Sequence, residues 1–323
     1  MKKLLSIIVP FHNVEDYISD CLQSILNQGL MADNYEVILV NDGSEDRSME
    51  RISNLLAENS NFHIYEQSSQ GPSIARNTAL SHAQGDYILM MDADDILVDN
   101  SLPIFLQHAM TSRCDMVVAN FIKLTSDSIS GYRPKTHQIV NIEQISGYDY
   151  FMRYLNPREC YVWRTLYRRE FLDQNSLRFI PNIYFEDIPF TIDCYLHAEK
   201  CLKIDMPLYI YRQHEGSIVS TVNMKKLKDL NQVMARLLEI KESKHWPADI
   251  EQGIDDNIFA TFSITIWYLT HDKGLLQLKD DYISDFKNKV LNLPTGKGIK
   301  QKAISLIFHH MPNTYIQLRS LFG

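Results

Sequence analysis

Tyr87-Ile88-Leu89-Met90-Met91-Asp92-Ala93-Asp94-Asp95 decides the fold. A short apolar run, of strand length rather than helix length, ends at once in three carboxylates. Such a run predicts a buried strand that delivers charge to the C-terminal edge of a sheet, where open α/β sheets bind their ligands. If the chain stays extended, Asp92 and Asp94 project together and Ala93 turns away. Close carboxylates repel unless a cation lies between them, and oxygen ligands suit Mg²⁺ or Mn²⁺ rather than Zn²⁺. A cation held this way typically bridges the phosphates of a substrate. The plainer alternative is an acidic turn in which Asp95 caps the next helix.

Outward from that stretch, strand-like and helix-like segments alternate. Leu4–Val9 reads as a first strand, and Ile18, Cys21, Leu22, Ile25 and Leu26 then recur at helical spacing. Tyr35–Val40 reads as a second strand ending in Asn41-Asp42-Gly43-Ser44-Glu45-Asp46, with a helix after it. Phe62–Tyr65 is a third strand, and Pro72 suits the first turn of a helix that Gly85 stops. A helix over Ser101–Thr111 and a strand over Met116–Ile122 follow the acidic stretch. This alternation predicts parallel strands joined by crossover helices.

The order breaks down near Thr125, where Ser, Asp, Gly and Pro accumulate. Beyond it come a helix near Tyr148–Leu155, the Trp163–Tyr167 segment, a helix opening at Glu186-Asp187, and two edge strands at Leu202–Ile204 and Leu208–Tyr211. From Met224 the pattern turns helical with long polar faces. We therefore expect an α/β domain over 1–222 and a smaller helical region over 223–323.

A chain of 323 residues exceeds one small core and suits a large domain with an appendage. The net charge of −8 argues against nucleic acid as a partner, which calls for a basic face. Five scattered cysteines without a Cys-x-x-Cys pair fit reduced thiols in a cytoplasmic protein. The opening Met1-Lys2-Lys3 followed by an apolar run resembles a leader, but the run stops at Pro10 without a small-residue cleavage site, so a first strand is expected. No run approaches the roughly 18 apolar residues of a membrane span. Ile258–Thr270 reads as a buried helix.

Asp42 ends strand two as Asp92 ends strand four, so both are expected at one crevice. A carboxylate there can accept from a pyrimidine ring N–H or a ribose hydroxyl; Asn-Asp-Gly-Ser is equally strong turn chemistry. Gln70-Gly71-Pro72-Ser73-Ile74-Ala75-Arg76-Asn77 opens a helix beside it, whose N-terminal amides attract anions. Arg76 can reach a phosphate or a base from there, or simply be a solvated helix arginine. It is not a Gly-x-x-x-x-Gly-Lys phosphate loop.

Four blocks in this order, Ile7-Ile8-Val9-Pro10-Phe11-His12-Asn13, Val40–Asp46, Gly71–Asn77 and Met91–Asp95, resemble the bacterial family 2 glycosyltransferases of the GT-A fold, over residues 4–222. The resemblance implies a Rossmann-like, mostly parallel α/β sheet flanked by helices. It implies that Asp42 contacts the nucleobase, usually uracil, that Asp92 contacts ribose or metal, and that Asp94 coordinates Mn²⁺ or Mg²⁺ on the diphosphate. Pro10, Phe11 and Glu15 would line the nucleotide pocket.

Tyr184-Phe185-Glu186-Asp187-Ile188-Pro189-Phe190 resembles the family's Glu-Asp block, whose aspartate is the catalytic base. Asp187 at a helix start can deprotonate an acceptor hydroxyl; a Glu-Asp pair can also merely cap a helix against its dipole. Tyr211-Arg212-Gln213-His214-Glu215-Gly216-Ser217 resembles the block whose His or Arg meets diphosphate or metal, making His214 a candidate third ligand. Trp163-Arg164-Thr165-Leu166-Tyr167 departs from the family's Trp-Asn-Lys-Leu-Tyr, although Trp163 and Tyr161 could still stack on a sugar.

The activity implied is inverting, metal-dependent transfer of a hexosyl or N-acetylhexosaminyl group. The donor would be a nucleotide sugar, most simply UDP-linked. The acceptor would be a hydroxyl of a glycan or lipid-linked sugar in capsule, exopolysaccharide or lipopolysaccharide synthesis. A catalytically inactive module of the same fold, holding a nucleotide sugar or a partner enzyme, is the competing expectation. A nucleotidyltransferase is disfavoured because Pro10-Phe11-His12-Asn13 is not a Gly-rich basic loop.

From Lys289 to Gly323 the chain holds five basic residues and no acid. Ile299, Ala303, Ile304, Ile307 and Phe308 recur near helical spacing, giving an apolar face beside a basic one. That pattern suits a helix lying on the inner membrane surface; it suits equally a helix packed on the catalytic domain or in a homo-oligomer.

Overall fold

The first two strands, β1 (Leu5–Phe11) and β2 (Tyr35–Asn41), are buried at every position. Strands covered on both faces read as continuous apolar runs, which is why these two stand out in the sequence. They belong to a computed structural model that describes residues 2–129, 132, 139, 141–155, 159–214, 222–290, 293 and 298–322. The further strands are β3 (Phe62–Glu66), β4 (Tyr87–Met90), β5 (Ile96–Leu97), β6 (Met116–Thr125), β7 (Ile142–Ile145), β8 (Thr165–Arg168) and β9 (Cys201–Gln213). The helices are α1 (Ile18–Leu26), α2 (Ser48–Glu58), α3 (Pro72–His82), α4 (Leu102–Ser112), α5 (Ser126–Ile129), α6 (Gly147–Arg153), α7 (Arg169–Gln174) and α8 (Asp187–His197), then α9 (Met224–Glu242), α10 (Ala248–His271), α11 (Lys273–Gln277), α12 (Lys279–Val290), α13 (Ile299–His310) and α14 (Pro312–Phe322).

The chain forms two compact units: Met1–Tyr150, Tyr161–Asn182 and Cys194–Glu215 in the first, and Phe151–Cys160, Ile183–Asp193 and Gly216–Gly323 in the second. One sheet organises the first unit, in the order β3-β2-β1-β4-β8-β6-β9-β5, with β7 on β9. The first four strands are parallel, as the strand–helix alternation predicts. β8 then enters antiparallel between β4 and β6.

Two elements differ from expectation. β1 runs on through Pro10 to Phe11, although Pro10 cannot donate a ladder bond. It is tolerated because β4 pairs with β1 only as far as Ile8, so the missing N–H faces beyond the end of that neighbour. The two edge strands expected at 202–211 are one strand, β9, with β6 on one side and β5 and β7 on the other. Pro207 reads as a break, but β6 shifts register opposite it between Ala119 and Phe121, and pairing resumes.

Beneath the parallel strands lies a buried polar knot. Ser6 Oγ donates to Glu36 Oε1 at 2.6 Å and accepts from the Gly85 N–H at 2.8 Å, while the Gln84 N–H donates to the same Glu36 oxygen. Gly85 does more than stop α3. A Cβ there would sit 2.5 Å from the Leu5 carbonyl carbon and the Ser6 nitrogen, both backbone atoms. Gly85→Ala should therefore destabilise by about 1–3 kcal/mol, read as a fall in the denaturation midpoint at unchanged slope.

The second unit is helical. In α10 the segment expected to be buried carries Ile258, Phe262, Ile266 and Leu269 inward. Phe262, Phe286, Phe308 and Tyr315 pack ring on ring from α10, α12, α13 and α14. Among the described residues no helix is long and apolar enough to cross a membrane.

Candidate active site

The C-terminal ends of β2 and β4 and the end of β9 converge in the first unit. Asp42, one residue past β2, extends the ladder by donating its N–H to the Phe11 carbonyl at 2.9 Å. Its side chain is buried and organises the loop that leads into α3. Gln67 Nε2 and the Gln70 N–H each donate to Oδ1 at 2.8 Å, and the Gly71 N–H donates to Oδ2 at 2.7 Å. Gly71 adopts φ 87°, a conformation open to glycine but strained for other residues. A carboxylate oxygen carries two acceptor positions, so Oδ2 has capacity for one further donor.

α3 presents Arg76 toward the acidic turn. Arg76 Nη2 donates to Asp92 Oδ1 at 2.7 Å, and the guanidinium lies 5.4 Å over the Phe179 ring. Phe179 is locked by a reciprocal pair: Asn77 Nδ2 donates to its carbonyl at 2.8 Å and Asn77 Oδ1 accepts its N–H at 3.0 Å. A planar guanidinium held on an aromatic face and by a carboxylate is fixed in orientation, which a lysine would not be.

The acidic stretch is a turn. β4 ends at Met90, and the Asp95 N–H folds back to the Asp92 carbonyl at 3.2 Å. Asp92 and Asp94 are thus placed by their own partners and not by strand alternation. Asp92 pairs with Arg76, while its N–H donates to the Tyr209 hydroxyl at 3.0 Å. Asp94 Oδ2 lies 3.0 Å from His214 Nε2, and the His214 ring packs on Tyr17. Asp95 accepts the Arg212 N–H at 2.7 Å and so caps no helix. Burial, reinforced by the charges of Asp94 and Asp92, pushes its carboxyl up to about 9, so it is neutral at pH 7. The Arg212 guanidinium reaches Asp20 Oδ2 at 3.1 Å and stacks over Tyr17.

Pro10 and Phe11 are buried at the end of β1, next to the Asp42 ladder bond. Glu15 accepts from the backbone and side-chain Nε of Arg47 at 3.1 Å each, which ties the loop after β1 to the loop after β2. The first unit therefore gathers Pro10, Phe11, Glu15, Asp42, Arg76, Asp92, Asp94 and His214. Glu215–Ser217 of the histidine block lie outside the described residues.

For a divalent cation, Asp94 and His214 are the matching donors: a carboxylate and an imidazole in contact, both partly exposed at 31% and 12%. Mg²⁺ and Mn²⁺ sites that act on phosphates take few protein ligands and complete their shell with water and substrate oxygens. Asp92 is engaged by Arg76. Among the described residues no three His, Cys, Asp or Glu side chains converge as a metal cluster.

Glu186 and Asp187 fall in the second unit. Asp187 opens α8 and is partly exposed, whereas Glu186 is 7% exposed. The block is anchored by the first turns of α9: Asp229 Oδ2 accepts the Tyr184 N–H at 3.0 Å, and the Lys225 and Lys226 ammonium groups lie about 5 Å over the Tyr184 ring. Phe185 adopts φ 63°, and the Ile188 N–H donates back to its carbonyl at 3.2 Å.

Trp163 is sandwiched between Tyr161 at 4.7 Å and Tyr209 at 4.2 Å and is 3% exposed, so its ring has no face for a sugar. Tyr161, partly exposed, is the ring left for that contact. Sequence reasoning missed Tyr209, Phe179 and Tyr17. Each reads locally as a core aromatic, and only the fold brings it to an acid or a guanidinium.

A sequence model of glycosyl transferase family 2 matches residues 6–175, more than half of the chain. The chain belongs to that family. The chain is 35% identical over 224 residues to glycosyltransferase EpsJ of Bacillus subtilis, a match covering 68% of this chain and 63% of EpsJ, so it spans less than two thirds of that relative's length. Its fold is similar to that of S. aureus TarS 1-349 in complex with UDP-GlcNAc, with a TM-score of 0.73 at 20% identity over 98% of this chain and 88% of the other. It is also similar, at TM-score 0.55 and 12% identity, to a mannosyltransferase from Pyrobaculum calidifontis in complex with GDP-Man and Mn²⁺. That match covers all of this chain and 88% of the neighbour. The fold is GT-A, with a helical C-terminal region.

Proposed function

We propose that this glycosyltransferase moves a sugar, with inversion, from a UDP-linked donor to a hydroxyl of a glycan or lipid-linked acceptor in bacterial surface-polysaccharide synthesis on the cytoplasmic side of the membrane. The observation that carries the proposal is the set of Asp42, the Arg76–Asp92 pair and the Asp94–His214 pair at one edge of the sheet. The remaining acceptor capacity of Asp42 suits the ring N–H of uracil, with Pro10, Phe11 and Glu15 framing the base. Asp92, held by Arg76, serves the ribose. Relatives of the same fold hold UDP-GlcNAc or GDP-Man with Mn²⁺, which supports a nucleotide-sugar donor and a divalent ion here.

Asp94 and His214 would hold that ion, which when bound offsets the charge of the departing diphosphate, a contribution of several kcal/mol. The chain's own residues orient the donor, exclude competing poses and remove the acceptor proton. Asp187 is the proposed base and Glu186, more deeply buried, its positioning neighbour. Purified protein should turn over one nucleotide sugar of a panel in Mn²⁺ and lose turnover in excess EDTA. Equal turnover in EDTA would remove the metal from the proposal and leave the donor assignment standing.

A further inference from the structure

Helix α13 seats one face in the second unit through Ser305 and Phe308, which are buried. A surface helix normally turns polar residues outward. Here the outward face is apolar as well until His310 in the last turn. At about 100° per residue, Ile299, Ala303 and Leu306 fall within roughly 60° of one another, with Lys302 on one side and Ile307 then Lys300 on the other. Ile299 is 89% exposed and Leu306 61%. On α14, Leu318 and Leu321 also face solvent. No acidic residue follows Asp285 in the whole sequence.

We infer that the outer face of α13, continued by α14, docks on an anionic phospholipid surface. The charge complementarity is local: Lys300 and Lys302 flank the stripe and Arg319 follows on α14, in a basic run with no acid after Asp285 and in a chain whose net charge is −8. Lys289 at the start of that run pairs with Asp285 at 3.0 Å. Lys297 of the run lies outside the described residues. The geometry is that of a helix lying in the headgroup layer, its apolar stripe entering the acyl boundary while flanking lysine stems snorkel to phosphates. A second copy of the same face is disfavoured, because isologous pairing would set like charges against each other and bury lysines, which interface cores exclude. The inference is independent of which sugar is transferred.

The test is co-sedimentation of the full chain with phosphatidylcholine vesicles, with and without roughly one third phosphatidylglycerol. The protein should sediment with the anionic vesicles and stay in the supernatant with the neutral ones. Lys300→Glu/Lys302→Glu and, separately, Ile299→Ser/Leu306→Ser should each reduce partitioning about tenfold or more, with melting temperature and activity on a soluble acceptor unchanged. These positions are exposed, so both variants should fold. Absence of binding to anionic vesicles, or binding that neither variant weakens, overturns the inference. So does light scattering that shows a dimer which the variants dissociate.

Discussion

Asp187→Asn is expected to leave donor affinity unchanged and to lower turnover by roughly 10²-fold or more, the range for loss of a positioned base. Asparagine keeps the size of the side chain and its place at the start of α8 but cannot take a proton. The donor is assigned to Asp42, Arg76 and the ion-binding pair, so calorimetric binding of the nucleotide should not move. The loss should appear in single-turnover chemistry. Glu186→Gln should do less, because that carboxyl is the more buried of the two. Normal turnover by Asp187→Asn with a dead Glu186→Gln would reverse their roles. Activity in both would reduce the block to a helix cap and place the base elsewhere.

Asp94→Ala is expected to abolish the Mn²⁺-dependent part of nucleotide binding and to lower turnover by roughly 10³-fold. That magnitude corresponds to about 4 kcal/mol, within the range ascribed to a metal at a developing charge. His214→Ala should be milder and recoverable by raising Mn²⁺, since the carboxylate remains and mass action compensates a weaker site. A titration of turnover against Mn²⁺ separates the two. Were Asp94→Ala to show wild-type metal dependence, the ion would have to be sought at another set of ligands.

Much of this architecture was readable along the chain, because it is local. Val37–Val40, followed by Asn41-Asp42, and Ile88–Met91, followed by Asp92, are continuous apolar runs, and a strand buried on both faces leaves no other trace. Gly71-Pro72 and Gly85 mark the limits of α3 because a backbone constraint acts at a single residue. What stayed hidden is non-local. Nothing near Thr165 shows that β8 will enter antiparallel between β4 and β6. Asp205-Met206-Pro207 reads as the end of a strand, and only the register shift of β6 opposite it allows β9 to continue. Phe179 meets Arg76 across about a hundred residues, a separation over which periodicity carries no information.

The end of β9 meets all three acids of the turn at once. Tyr209 takes the Asp92 N–H, Arg212 gives its N–H to Asp95, and His214 sits on Asp94. The two segments thus form one inheritable cassette, although more than a hundred positions of chain separate them. Recombination between family members with a crossover anywhere from residue 96 to 208 would join the acids of one parent to the strand of another. Their side-chain lengths and register would then have to agree by chance. Exchanging residues 92–95 and 209–214 together, as a matched pair, is the transplant that preserves the parent's contacts between these acids and the end of β9.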